Sequence, residues 1–121
     1  FNMIRPGSFD SRPALRIAGA LQAEQRALFC LALFETVWSG SVKTSDESWL
    51  EQVIADKSLP QQWLNIENED FEENTHKALK AGCFGVPSFI MHPATGRNEL
   101  FFGLDHMDVL ARSCSRSQIR L

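Results

Sequence analysis

Apolar residues recur at helical spacing over the first two-thirds of the chain and then at strand spacing. Leu15, Ala18, Leu21 and Leu28 fall three, four and seven residues apart, with Arg16, Glu24, Gln25 and Arg26 on other faces. Asp10 or Ser11 is placed to cap this helix, and Pro13 sits in its first turn, where a missing N–H costs nothing. The run continues through Phe29, Leu31, Leu33, Phe34 and Trp38 to Gly40, so the pattern predicts one helix over 14–38. Its second half is apolar nearly all round, which predicts burial on several sides.

After a connection at 41–44, Ser45 is a candidate cap for a helix with Trp49, Leu50, Val53 and Ile54 on one face. Ser58-Leu59-Pro60 breaks it. Residues 61–67 suit a short helix carrying Trp63, Leu64 and Ile66, and Trp38, Trp49 and Trp63 are all expected in the core. Asp70 opens a helix to about Ala81 with Phe71, Ala78 and Leu79 inward. Acidic residues fill its first turn and Lys77 and Lys80 its last, which suits the macrodipole. Gly82 is placed to end it in the left-handed region.

From there the period changes. Ser88 to His92 reads as a strand, Pro93 to Asn98 as a turn and Glu99 to Phe102 as the returning strand, an antiparallel hairpin. Asp105 is expected to cap a last helix through Met107, Val109, Leu110 and Ala111, before a polar, frayed tail from Ser113. Residues 1–10 read as irregular. Helices followed by a hairpin and a helix predict a mostly helical α+β protein. It is read as one domain over 1–121, with 11–81 as a helical subdomain and 82–115 as a ββα half.

A chain of 121 residues with net charge −3 has the length of one domain and no electrostatic footprint for nucleic acid or an anionic membrane. No apolar run is long enough for a membrane span, and no segment reads as a signal peptide. Cys30, Cys83 and Cys114 are three in number and far apart, which suits neither a disulfide framework nor a metal site. Free thiols suggest a reducing, cytoplasmic location. The chain opens with Phe1, so either it is a piece of a longer protein or Met3 is the natural start. Ile119-Arg120-Leu121 only loosely matches a peroxisomal address.

Residues 82–105 carry the most specific pattern: Gly-Cys-Phe-Gly-Val-Pro-Ser, a strand, a Gly-containing turn, and Leu-Phe-Phe-Gly-Leu-Asp before a helix. This resembles the C-terminal half of the kappa-class glutathione transferases, the 2-hydroxychromene-2-carboxylate isomerases and the wider DsbA-like thioredoxin superfamily. Asp10-Ser11-Arg12-Pro13-Ala14-Leu15-Arg16 is similar to the opening of the helical insertion in those families, and Phe34 to Trp38 matches an aromatic pair within it. The resemblance covers nearly the whole chain but only the later part of the family's domain. It implies a thioredoxin-like fold lacking the N-terminal βαβ unit and the Ser or Cys that unit carries.

The resemblance also implies a site. In such proteins the Val-Pro bond is cis, and the backbone before it pairs with glutathione. Val86 and Pro87 would take the cysteinyl part, with Leu104 and Asp105 where the kappa class has a Ser-Asp pair for the γ-glutamyl group. Leu104 has no side-chain donor, and His106 replaces the usual Arg. Phe34 and Trp38 are candidates for an acceptor pocket. Cys83, His76 and His92 read as packing or surface residues rather than catalytic groups. The expectation is a partial or shortened glutathione-dependent transferase or isomerase, not competent alone, with no catalytic residue and no metal site of its own. A non-catalytic assembly or ligand-binding module, and part of a DsbA-like disulfide oxidoreductase, are the alternatives. Two strands are too few to stand unsupported, which predicts a homodimer.

Overall fold

The computed structural model describes residues 3–68 and 70–119, with side chains described to residue 116. Phe1 and Asn2, where the question of the natural start arises, lie outside the described residues, as do Arg120 and Leu121 of the C-terminal tripeptide. The chain forms two compact units, residues 1–71 and 72–121.

The first unit contains α1 (Arg12–Ala20), α2 (Ala23–Ser39), α3 (Trp49–Asp56) and a 3-10 turn (Gln61–Asn65). At the start of α1 the Asp10 carboxylate accepts from the Arg12 N–H at 3.0 Å and from its guanidinium at 2.8 Å. That pairing holds the Asp10 pKa down at about 2. The helix predicted over 14–38 is broken: Leu21 and Gln22 are extended, with ψ of 148° and 160°. Arg26 explains the break. Its guanidinium donates to the carbonyls of Ala18 (2.8 Å), Gly19 (3.4 Å) and Leu21 (2.9 Å), satisfying acceptors that a continuous helix would have bonded internally. The turn lets Leu21 enter the core while α2 starts afresh.

The core joins Ala14, Ile17 and Leu21 to Phe29, Ala32 and Val37 of α2, Trp49, Leu50, Val53 and Ile54 of α3, and Trp63. Phe29 meets Trp63 edge to face, at 6.0 Å between ring centroids, and Phe9 meets Trp49 likewise at 5.3 Å. Each fully buried large apolar side chain contributes about 1.5–3 kcal/mol, and Phe29, Val53 and Ile54 are all fully buried. Buried Thr36 is satisfied by donating to Ala32 at 2.7 Å.

Ser48, not Ser45, holds the N-cap position of α3, because residues 43–49 make two consecutive turns before the helix. The helix closes with the Ser58 N–H on Ala55 and the Leu59 N–H on Ile54. These bonds put Ser58 in the left-handed region, at φ 51°.

Two expectations fail in α2. Its apolar half is not buried on all sides, and Trp38 is not in the core: Leu28, Leu31, Phe34 and Trp38 form an exposed stripe. The buried side of α2 is taken by Phe29, Ala32, Thr36 and Val37, which face α1, α3 and the 3-10 turn; the opposite face has no such element against it among the described residues of its unit.

The second unit holds nearly all of α4 (Phe71–Lys80), the strands β1 (Ser88–Met91) and β2 (Glu99–Phe102), a 3-10 turn (Leu104–His106) and α5 (Met107–Ile119). The strands pair antiparallel, from Ser88 opposite Phe102 to Met91 opposite Glu99. At the end of α4, Gly82 (φ 89°) donates to Leu79 and Cys83 to Ala78, the paired bonds of a left-handed helix stop. Leu79 was expected inward but is exposed, because no described element of this unit covers that face of α4. α5 is helical to Ile119, past Ser113, where the tail was expected to fray; an exposed Asp108–Arg112 ion pair and a Ser115 bond back to Ala111 lie along it. The mostly helical α+β class read from the sequence holds, with two strands among the described residues. No described helix is long and apolar enough to cross a membrane.

Candidate functional site

The Val86–Pro87 peptide is cis, and β1 starts at the next residue. Ser88 Oγ donates back to the Gly85 carbonyl across the bend. Val86 is 89% exposed, and neither its N–H nor its C=O has a partner among the described residues. A bend with free main-chain polar groups at a strand end can accept a short extended peptide.

The second half of the site is tied to the first. The Gly103 N–H donates to the Pro87 carbonyl at 2.9 Å, so the chain leaving β2 is fastened to the chain entering β1. Gly103 has φ 81°, and from it the backbone winds into the 3-10 turn Leu104–His106. The four residues expected to share a site therefore lie on two segments joined by one hydrogen bond. Leu104 and Asp105 are both exposed. Asp105 does not cap α5 as expected. Gly103 occupies the N-cap position of the turn and no side-chain cap bond forms there, which leaves the Asp105 carboxylate without a described partner.

An aromatic wall, not anticipated as part of the site, stands beside the bend. Phe84 lies against Phe102 with ring centroids 4.6 Å apart. A Cβ on Gly85 would come within 2.9 Å of the Phe102 ring, so glycine is what lets that ring approach the backbone. Phe84, Leu100, Phe101, Phe102 and His106 line an open hollow there. The signal was present in the sequence as an aromatic between close glycines, Gly82 and Gly85.

Cys83 is half-buried and its backbone is occupied in closing α4. Phe34 and Trp38 lie in the first unit, where with Met3 and Glu35 they line an open apolar depression. No group of three or more His, Cys, Asp or Glu side chains among the described residues could hold a metal ion.

The family model of the DSBA-like thioredoxin domain matches residues 2–114. No curated protein and no solved structure matches the chain. With a mostly helical body, a cis-proline bend opening an antiparallel hairpin and a match over nearly its full length, the chain belongs to the DSBA-like thioredoxin domain family.

Proposed function

We propose that this chain is a glutathione-binding member of that family, nearest in kind to the kappa-class transferases and the 2-hydroxychromene-2-carboxylate isomerases. The observation that carries the reading is the exposed main chain of Val86, without a partner among the described residues, beside the Gly103–Pro87 tie. In this reading the cysteinyl N–H and C=O of glutathione pair with Val86 as a short added strand. Pro87 fixes the bend, the Leu104 N–H meets the γ-glutamyl carboxylate, and the Asp105 carboxylate takes the γ-glutamyl ammonium. Phe84 and Phe102 flank the thiol end. No residue of this chain is assigned to activate that thiol, so the chain binds glutathione without performing transfer or isomerisation alone.

Homodimer formation belongs to the same proposal. Exposed apolar residues on the hairpin and on α2 support it. Light scattering on a size-exclusion column is expected to give twice the chain mass at micromolar concentration, and a clean monomer rejects it.

The test of binding is calorimetric. Glutathione is expected to bind the full chain in the millimolar range or tighter. Val86→Pro, which removes the amide donor, is expected to abolish the heat. Asp105→Asn is expected to weaken binding about tenfold, the worth of one charged hydrogen bond. Absence of heat at millimolar glutathione, or full binding by Val86→Pro, rejects the reading.

A further inference from the structure

We propose that the turn end of the hairpin, together with the last turns of α5, forms a second site that binds a small phosphate monoester. Arg97 of the β1–β2 connection and Arg116 of α5 line one hollow of ≈ 320 Å³, with Met91, Pro93, Thr95 and Glu99 among its walls. That volume is in the range of small-molecule sites. The hollow is separate from the bend at Val86. Ser88 pairs with Phe102 at the bend end of the sheet and Met91 pairs with Glu99 at the other, three residues along, or roughly 10 Å of strand.

The state of the arginines singles out this hollow. Within the described part of the second unit, Arg112 is bound to Asp108 at 2.8 Å. Arg97 and Arg116 have no partner among the described residues, and they are the two that meet in the hollow. Two guanidiniums brought to one concave surface, neither in an ion pair among the described residues and with Glu99 the single acid on the wall, favour an anion between them.

The number of forks selects the anion. One carboxylate is satisfied by a single guanidinium. Two guanidiniums from separate elements match a dianion with three acceptor oxygens, which is a phosphate monoester at neutral pH. The Thr95 hydroxyl, also without a described partner, supplies a further donor at the turn. Met91 and Pro93 give an apolar wall for the carbon body of the ester. Glu99 on the same wall offsets part of the positive charge, which disfavours extended polyanions such as nucleic acid.

The experiment is an amide-resolved NMR titration of the full chain with β-glycerophosphate and, separately, with inorganic phosphate. Saturable shifts are expected at Thr95, Gly96 and Arg116, with the ester binding several-fold tighter than phosphate. Arg97→Gln and Arg116→Gln are each expected to lower affinity by roughly tenfold or more, the usual loss for a charged hydrogen-bond donor. Arg97→Lys, which keeps the charge but not the fork, is expected to weaken binding too and serves if the glutamine variant folds poorly. Glu99→Gln is expected to tighten it. Arg112→Gln should leave it unchanged. No saturable shift up to tens of millimolar, or an equal loss with Arg112→Gln, overturns the site. Equal affinity for both probes overturns the assignment to an ester.

Discussion

Residues 3–71 and residues 72–116 are similarly rich in aromatic and aliphatic side chains, yet they use them differently. In the first unit these side chains close a continuous buried core around Phe29, Val53 and Ile54. In the second, no described side chain is buried, and Leu79, Phe84, Val86, Phe102 and Leu104 are all exposed. The helical unit has what it needs for its own cooperative folding. The hairpin unit displays the cis-proline bend on a support of two strands among the described residues, fewer than a sheet needs for independent stability. The backbone proposed to bind a ligand thus sits on the least buried described part of the chain, the common association of binding segments with low local stability.

Side-chain truncation tests that contrast at its largest. Phe29→Ala is expected to destabilise the chain by about 3–5 kcal/mol, the range for removing a buried aromatic. Phe102→Ala should cost under about 2 kcal/mol in dilute solution, because the ring is partly exposed and leaves little cavity. Denaturation at two protein concentrations sharpens the result: if a second copy covers the hairpin, the Phe102→Ala cost grows with concentration while the Phe29→Ala cost does not. Equal costs at both sites and both concentrations would break the contrast.

Native-state hydrogen exchange gives the next effect in size. Amides of β1 and β2 are expected to exchange through openings several kcal/mol cheaper than those of α2 and α3, given the spread from local fraying to global unfolding. Protection of the hairpin equal to that of Ile54 would contradict this.

A smaller effect tests how the first unit ends its third helix. Ser58 holds a positive φ that glycine adopts without penalty. Ser58→Gly is expected to raise stability by up to about 1 kcal/mol, the scale of a left-handed residue's cost, and thermal melting reads it.

The smallest effect is electrostatic, with one carboxylate in each unit. The Arg12 hydrogen bonds hold the Asp10 pKa at about 2, and the Lys77 hydrogen bond lowers that of Glu73. A carboxylate whose folded value lies below its unfolded value stabilises the fold above the ordinary carboxylate range. That contribution fades as pH falls through the ordinary value towards the folded one. Lys57 is the opposite case, raised by its hydrogen bond to Glu35, so its contribution fades only as pH climbs above the usual lysine value. All three pairs are exposed, so Asp10→Asn should flatten the acid limb of a stability–pH curve only slightly.

How far the sequence foretold this follows from how local each feature is. The hairpin and the Gly82 stop depend on residues close in sequence and were legible from them, whereas the cis Val-Pro bend was expected from the family resemblance alone. The break after Ala20 was not, because Arg26 closes it from five to eight residues away. Trp38 and Leu79 were misjudged as buried because an apolar helix face says that cover is wanted, not that the same unit supplies it. Asp105 was misread as a cap because a 3-10 turn, entered through Gly103 at positive φ, precedes α5 and puts the N-cap position at Gly103. The pairing of Phe84 with Phe102 needed the strand register before it could be seen.

The most direct test is an amide-resolved titration of the chain with reduced glutathione. Saturable shifts are expected at Val86, Ser88, Leu104 and Asp105, with Ile54 and Thr95 unmoved. Silence at Val86 up to millimolar ligand, or shifts gathered only around Arg97, would contradict a tripeptide seated on the cis-proline bend.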